Sequence, residues 1–260
     1  MRRSIVGVAA AALLLAGCGG GGSGGQASTQ QSAAPKPATV TVLAASSLTE
    51  VFDKLKPEFE KANPGASLKF SYGGSSDLSQ QIVNGAPADV FASANEKQMK
   101  VVSDAGDVSG TSQIFTTNVL TIVVPPGNPK GIKTFADLAK PDVKEVVCAP
   151  QVPCGSATQT LEKATNTKLS PVSEESDVKS VLSKVESGDA DAGLVYVTDA
   201  KDAGSKVQQI TFPETQKAIN KYPIAVIKTS KQAKYAQAFM DFVLGPQGQQ
   251  ALAAAGFGKP

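Results

Sequence analysis

Two pairs of adjacent serines stand where a predicted strand passes into a predicted helix. Ser46 and Ser47 follow the apolar run "VTVLAA", and Ser75 and Ser76 follow "LKFSYGG". Serine often caps a helix, and Ser47 with Glu50 fits the S-x-x-E capping box. The same hydroxyls can donate to an anion, because a helix N-terminus has free N–H groups and a partial positive charge. The serine pattern alone is compatible with both roles.

Two later turns have a comparable composition. They are "VPCGSA" at 152–157 and "SEESDV" at 173–178. In a parallel sheet, the carboxyl ends of the strands and the N-termini of the following helices meet at one edge, and ligands bind there. Together with the serine pairs, these turns predict an anion-binding edge built from hydroxyls and backbone amides.

The chain contains no histidine. This excludes Ser-His-Asp and Cys-His catalysis and argues against most zinc hydrolases. A Ser-Lys hydrolase remains an alternative, with Ser47 as its candidate nucleophile. Because no motif places a lysine beside either serine pair, we expect a binding protein without catalytic residues rather than an enzyme.

The N-terminal residues resemble an export signal. Two arginines precede an apolar stretch at 5–16, which is too short to span a bilayer and ends in "LAGC". This ending resembles a lipoprotein lipobox, so we expect a signal peptide at 1–17 and lipid on Cys18 that anchors the protein outside the cytoplasm. A signal peptide with an incidental cysteine is the alternative. The Gly-, Ser- and Ala-rich segment at 18–38 is expected to be a flexible tether.

The other two cysteines lie close together in "VVCAPQVPCGS". In an exported, oxidising compartment, this spacing favours a disulfide between Cys148 and Cys154. A metal site is the alternative, but the pair lacks C-x-x-C spacing and histidine partners. The charge balance excludes another class: the net charge of +2 falls to zero without the two N-terminal arginines, which argues against nucleic-acid binding.

Strand and helix patterns alternate through the remaining 220 or so residues. Strands are predicted at 39–45, 67–72, 89–93, 114–124, 145–149, 192–197, 207–211 and 222–228. Helices are predicted at 48–62, 76–84, 95–105, 134–139, 155–165, 177–187, 231–244 and 246–255. Repeated strand–helix units favour mainly parallel sheets with helices on both faces. The long extended stretch at 112–126 could carry the chain between two lobes, with a return near 211–227.

Four stretches of the chain form an ordered set of motifs: "VTVLAASSLTEVF", "GGSSDLSQQIVNGAPADVFASAN", "DVKSVLSKVESGDADAGLVYVTDA" and "YPIAVI". Together they resemble the periplasmic molybdate-binding proteins of bacterial ABC importers. The resemblance implies a two-lobed α/β fold of the type II periplasmic binding proteins, with two chain crossings. Lobe 1 would comprise 39–117 plus 216–260, and lobe 2 would comprise 118–215. The resemblance also implies a monomer without a cofactor that delivers molybdate or tungstate to an ABC permease and its ATPase.

The family's ligand contacts can be carried onto this sequence. They fall on the hydroxyls of Ser47, Ser75 and Tyr196 and on the backbone amides of Cys154 and Val178. Each serine pair leaves an ambiguity of one residue, so Ser46 or Ser76 could contribute. A tyrosine that ends an apolar strand can also be a core residue with its hydroxyl at the rim.

The expected ligand explains why the site needs no charged side chain. A tetrahedral dianion offers only hydrogen-bond acceptors, so a wall of donors suits it. Protonated phosphate must donate a proton, and a site without an acceptor should reject it. Sulfate is also acceptor-only, so sulfate or another oxyanion remains the alternative ligand. Molybdenum would enter only as the oxyanion, and no site for a free metal cation is expected.

Overall fold

A computed structural model of the protein describes residues 37–260. The predicted signal peptide, the predicted lipid site at Cys18 and nearly all of the predicted tether lie outside the described residues. Within the described range, no helix has both the length and the apolar character needed to cross a membrane.

Residues 37–260 form ten β-strands and eight α-helices. The strands are β1 Ala38–Ala45, β2 Ala66–Gly73, β3 Val90–Ala92, β4 Val108–Asn118, β5 Leu120–Val124, β6 Glu145–Cys148, β7 Ser173–Glu175, β8 Ala192–Tyr196, β9 Gln208–Ile210 and β10 Asn220–Ile227. The α-helices are α1 Thr49–Ala62, α2 Ser75–Val83, α3 Glu96–Asp104, α4 Pro153–Thr165, α5 Val178–Glu186, α6 Val197–Ala203, α7 Ala233–Leu244 and α8 Pro246–Ala255. Short 3₁₀ helices occur at Ser46–Leu48, Phe135–Ala139, Gly204–Lys206 and Pro213–Lys217.

The strands form two five-stranded sheets. Their orders are β2-β1-β3-β10-β4 and β7-β6-β8-β5-β9. In each sheet one strand, β10 or β5, runs antiparallel to both of its neighbours. The remaining pairs are parallel. Each sheet is therefore mixed, with four strands in one direction and one reversed, and the two sheets with their helices confirm the predicted α/β class. We refer to each sheet with its covering helices as a lobe.

Helices cover both faces of the first sheet, as the alternation of side chains along β1 requires. Val42 of β1 belongs to the core that contains Phe52 of α1 and Phe239 of α7. Leu43, the next residue, points to the opposite face and lies in a second core with Leu78 of α2. The carboxyl end of β1 is therefore fixed from both sides before the chain reaches the first serine pair.

The prediction of one strand over 114–124 was wrong, although this stretch does carry the chain from one sheet to the other. β4 ends at Asn118 and β5 begins at Leu120 in the second sheet. Both halves are rich in strand-forming residues, so the sequence pattern hides the break between them. The Asn118 side chain stabilises the crossing: its Oδ1 accepts from the Val119 N–H (3.0 Å), and its Nδ2 donates to Thr198 Oγ1 (2.9 Å). The chain returns to the first sheet between β9 and β10.

Two elements of the second lobe were not predicted, the short strand β7 and the helix α6. The start of α6, "VTDA", contains β-branched residues that favour strands and so reads as an extension of β8. Asp199 decides the local structure instead, because its Oδ2 accepts from the backbone N–H of Tyr196 (3.1 Å). This bond ends β8 at Tyr196 and starts the helix.

Asp199 also belongs to a cluster of charges that joins the lobes. Its carboxyl group is fully buried, and its Oδ1 lies 3.2 Å from Nζ of Lys179 on α5. The same ammonium group contacts Oε1 of Glu50, on α1 of the first lobe, at 2.8 Å. One lysine of the second lobe therefore binds a carboxylate from each lobe.

Burial and the neighbouring charges together decide which groups of this cluster carry a proton. Burial raises the pKa of Asp199 to about 6, against the attraction of Lys179. Burial of Lys179 acts to lower the pKa of its ammonium, but the carboxylates of Asp199 and Glu50 prevail and raise it. The lysine thus stays charged, and Asp199 gains a proton in mildly acidic solution.

We expect Asp199 to make stability depend on pH in a defined direction. Its carboxyl titrates near 3.8 when unperturbed and near 6 when folded, so the folded state binds the proton more tightly. The resulting stabilisation is fully present below about pH 4 and is lost as the pH rises through about 6. Asn at this position keeps an acceptor for Tyr196 but does not titrate. The free energy of unfolding of Asp199→Asn, relative to wild type, should therefore rise by about 2 kcal/mol between pH 4 and 7.

Urea denaturation of both proteins across this pH range measures the difference. A difference that stays constant with pH would contradict the proposed titration of Asp199.

Candidate functional site

The four turns singled out in the sequence line one cavity between the lobes. The cavity is small, because the centre of a water-sized sphere can move through only about 10 Å³ of it, which is room for about one water molecule or a small ion. Its lining residues are Ala45, Ser46, Ser47, Gly73, Gly74, Ser75, Ala94, Val152, Pro153, Cys154, Asp177, Val178 and Tyr196. All five ligand contacts expected from the resemblance are among them.

Both sheets contribute to the cavity in the same way. The lining comes from the carboxyl ends of β1, β2 and β3 in the first sheet and of β6, β7 and β8 in the second, or from the residues that follow them. These six are the strands that form the parallel pairs of each sheet. The structure therefore brings two strand edges of the kind that bind ligands in α/β proteins to one small space.

The serines do not cap helices through their side chains, so that part of the prediction was wrong. A 3₁₀ helix at Ser46–Leu48 separates β1 from α1, and Ser75 is already the first residue of α2. Glu50, the expected partner of Ser47 in a capping box, contacts Lys179 instead. The serine hydroxyls are consequently available for contacts outside their own helices.

Each of the two central serines has one partner within its own lobe. Ser47 Oγ lies 3.0 Å from the hydroxyl of Tyr222 on β10. Ser75 Oγ accepts from the backbone N–H of Ala94 at 2.9 Å. Both serines are buried and line the cavity, so a ligand there would meet hydroxyls that are already fixed from behind.

The structure places the other two serines differently. Ser46 also lines the cavity, and its carbonyl oxygen accepts from Thr49 Oγ1. Ser76 is buried outside the lining, and within residues 37–260 its hydroxyl has no hydrogen-bond partner. The geometry thus favours Ser46, Ser47 and Ser75 over Ser76 as ligand contacts.

A disulfide fixes the first backbone donor of the second lobe. The structure joins Cys148, at the end of β6, to Cys154 in the first turn of α4, with their Cα atoms 5.6 Å apart. Because the helix begins at Pro153, which has no N–H, the amide of Cys154 is the first donor of α4. Gly155 permits this tight turn, since a Cβ there would overlap the carbonyl oxygen of Ala149.

Asp177 prepares the second backbone donor. It precedes α5, and its Oδ1 accepts from the N–H groups of Lys179 (2.8 Å) and Ser180 (3.1 Å). Its Oδ2 accepts from the hydroxyl of Ser180 at 2.9 Å. Both carboxylate oxygens are thereby turned to the helix, and the amide of Val178 is the first-turn donor that the cap does not bind.

Tyr196 supplies a hydroxyl donor from the end of β8. It is buried and lines the cavity, so it is more than a core residue at the rim. Burial raises its pKa well above the ordinary tyrosine value, which keeps the phenol protonated. The hydroxyl oxygen accepts from Nδ2 of Asn220 at 2.9 Å.

Sequence reasoning missed three residues at the cavity: Ala94, which lines it, and Asn220 and Tyr222, which lie behind it. Asn220 and Tyr222 alternate along β10 and therefore lie on the same face of the sheet, a pattern present in "NKYPIAV". Nothing local in that stretch indicates that its side chains meet residues of β1, β3 and β8.

The described lining of the cavity contains a single charged side chain. Among the described residues that line the cavity, Asp177 is the only one with a charged side chain, and both of its oxygens are bound to α5. No lysine belongs to the lining. Among residues 37–260, the cavity lining thus offers Ser47 no lysine of the kind that a Ser-Lys hydrolase requires.

Comparison with known proteins gives consistent matches. Residues 40–258 match the family described as bacterial extracellular solute-binding protein. The molybdate-binding protein ModA of Mycobacterium tuberculosis (strain H37Rv) is 46% identical over 222 residues, which cover 85% of this chain and 85% of that protein.

Two solved structures have the same fold. The substrate binding domain of a putative molybdenum ABC transporter from Clostridium difficile is 31% identical with a TM-score of 0.64, covering 85% of this chain and 99% of that chain. The sulfate-binding protein SubI from Mycobacterium tuberculosis H37Rv is 26% identical with a TM-score of 0.71, covering 84% and 86%.

These matches span both sheets and the cavity between them, and the family match alone covers most of the chain. The chain therefore belongs to the bacterial extracellular solute-binding proteins.

Proposed function

We propose that the protein binds molybdate, and tungstate with it, and delivers the anion to the permease and ATPase of an ABC importer. The observation that carries this proposal is the cavity wall, which offers hydroxyl and amide donors from both lobes and no charged side chain free to face the ligand. A tetrahedral dianion is an acceptor-only ligand, and this wall is its chemical complement. The protein would act by binding and release, without turnover.

The donors supply enough interaction energy for tight binding. A hydrogen bond to a charged partner contributes roughly 1.5–3 kcal/mol. The hydroxyls of Ser47, Ser75 and Tyr196 and the amides of Cys154 and Val178 would each make one. Association and desolvation offset part of this sum, but a small buried cavity keeps the remaining interactions unscreened by water.

We propose molybdate rather than sulfate as the ligand because the 46% identical relative is named a molybdate-binding protein. Sulfate is the second candidate, and the likeness to a sulfate-binding protein of the same fold favours it. Both are acceptor-only dianions, so the donor set suits either. Their difference in size must decide between them.

The proposal includes the arrangement of the whole protein. We assign 39–117 plus 216–260 to lobe 1 and 118–215 to lobe 2, and we expect a monomer whose lobes close on the anion. Export, lipid on Cys18 and the tether at 18–38 would hold it beside its permease. Contact between the lobes beside the cavity, such as Gln98 Nε2 donating to the Gln151 carbonyl oxygen (2.8 Å), supports closure around the ligand.

The direct test is a calorimetric titration of the purified protein with molybdate, tungstate, sulfate and phosphate. We expect molybdate to bind tightly and excess sulfate not to displace it. Ser75→Ala should weaken molybdate binding about tenfold or more, because it removes one donor to a charged ligand. Ser103→Ala, on an exposed face of α3, is the matched control and should leave the affinity unchanged.

If the titration with sulfate released or absorbed heat and the titration with molybdate did not, the protein would be a sulfate-binding protein. No heat with any of the four anions would overturn the proposed function.

The proposed closure of the lobes leads to a second prediction, which concerns the neighbouring residues Gly73 and Gly74. A Cβ on Gly74 would overlap the carbonyl oxygen of Ser176 in the other lobe, whereas a Cβ on Gly73 would make only an ordinary contact with Leu78. Gly74→Ala should therefore hinder closure without disturbing its own lobe. We expect molybdate affinity to fall about tenfold or more in Gly74→Ala and to remain near wild type in Gly73→Ala.

Small-angle scattering at saturating molybdate provides the structural measurement. Gly74→Ala should have a larger radius of gyration than Gly73→Ala. Equal affinities and equal radii would show that binding does not need this approach of the lobes.

A further inference from the structure

Three of the four side-chain hydroxyls that line the cavity, those of Ser47, Ser75 and Tyr196, have a hydrogen-bonding group behind them. The partners are the backbone N–H of Ala94 for Ser75, the side-chain amide of Asn220 for Tyr196, and the hydroxyl of Tyr222 for Ser47. Neither the side chain of Asn220 nor that of Tyr222 belongs to the lining of the cavity. Because a hydroxyl has one proton, the direction of the bond behind it decides what it presents to a ligand.

For Ser75 and Tyr196 that direction is fixed. The N–H of Ala94 can only donate, so Ser75 Oγ is its acceptor (2.9 Å). Asn220 Nδ2 lies 2.8 Å from the carbonyl oxygen of Ala94, which can only accept. The nitrogen end of the amide must therefore face this region, and it donates to the Tyr196 hydroxyl (2.9 Å). Both hydroxyls keep their own proton for the cavity.

The orientation of the Ser47 hydroxyl depends on the phenol of Tyr222. Tyr222 is fully buried, and burial raises its pKa far above the ordinary value, so its proton stays bound. Ser47 Oγ lies 3.0 Å from this phenol, and either oxygen could be the donor; we assign the donor role to Tyr222 because its buried proton needs an acceptor. With Tyr222 as the donor, the proton of Ser47 also turns to the cavity.

We propose that Tyr222 and Asn220 are specificity-determining residues, which orient the hydroxyls of Ser47 and Tyr196 so that both face the ligand as hydrogen-bond donors. This inference rests on the proposed function and assigns its selectivity to residues that do not touch the anion. A free serine hydroxyl can accept a hydrogen bond as readily as it donates one. A protonated oxyanion, such as hydrogenphosphate, would find an acceptor in Ser47 if Tyr222 did not occupy the serine oxygen.

The test replaces only the donor. Tyr222→Phe keeps the ring, which packs edge-on against Phe115 and Phe257, and removes the hydroxyl. Calorimetric affinities for molybdate, sulfate and phosphate are measured at pH 7 in wild type and variant. Tyr235→Phe, whose ring lies outside the cavity lining, is the matched control.

Discrimination against phosphate should fall in Tyr222→Phe. We expect the ratio of phosphate to molybdate dissociation constants to decrease about tenfold or more, the equivalent of one hydrogen bond. The ratio of sulfate to molybdate dissociation constants should stay unchanged, because sulfate has no proton to donate. A merely structural loosening of the site would change both ratios together.

A double-mutant cycle locates the effect. In a Ser47→Ala background, Tyr222→Phe should no longer change the phosphate ratio, because the hydroxyl through which it acts is gone. Asn220→Ala provides a second variant: it should lower the phosphate ratio in the wild-type background and have no effect on it in Tyr196→Phe.

The outcomes separate this inference from the function on which it rests. If the wild-type protein binds no oxyanion, the proposed function fails and this inference with it. If wild type binds molybdate but Tyr222→Phe and Asn220→Ala keep the wild-type phosphate ratio, the proposed function stands and only this inference is overturned.

Discussion

A small ion that can only accept hydrogen bonds must be surrounded by donors, and the donors must come from every side. The two sheets satisfy this constraint by presenting the carboxyl ends of their parallel strands to one cavity. Five of the six strand ends lead to either a hydroxyl or the first amides of a helix, which have no partner within the helix, and the sixth leads to Ala94, whose N–H binds Ser75. The reversed strands β10 and β5 are central to the arrangement. β10 supplies Asn220 and Tyr222 to the back of the site, and β5 receives the chain from the first sheet.

Apart from Asp177, whose carboxylate is bound to α5, the charges lie beside the cavity rather than in it. Glu50 follows Ser47 by three residues, and Lys179 is next to Val178, so their ion pair joins the lobes beside two of the donors. Asp199 connects the same lysine to the backbone of Tyr196. A buried ion pair adds little net stability, but removing one partner is costly because it leaves the other charge uncompensated. The cluster therefore serves to hold the lobes and Tyr196 in register, while the ligand meets only neutral groups.

Much of this fold could be predicted from the sequence, because its signals are local. Alternating apolar runs identified most strands and helices, and serine, glycine and proline marked the turns that line the cavity. The break at Val119 was missed because both halves of the segment are strand-like. The helix α6 was missed because a single buried carboxylate, Asp199, overrides the local preference for a strand.

The arrangement behind the site could not be predicted at all. Ser47 and Tyr222 meet although 175 positions separate them in the sequence, and no local pattern encodes such a contact. The same holds for Asn220, whose amide reaches both Ala94 and Tyr196. The resemblance to a family identified the hydroxyls of the cavity, but the direction in which each hydroxyl points follows only from its three-dimensional partners.

The central claim is that the donors of this cavity surround a molybdate ion. Crystals grown with molybdate and measured at the molybdenum absorption edge test it most directly, because the anomalous signal locates molybdenum without interpretation of the surrounding density. The account predicts one strong peak in the cavity, with oxyanion oxygens within hydrogen-bond distance of the Ser47, Ser75 and Tyr196 hydroxyls and the Cys154 and Val178 amides. A peak elsewhere on the protein, or an anion in the cavity held by charged side chains instead, would contradict it.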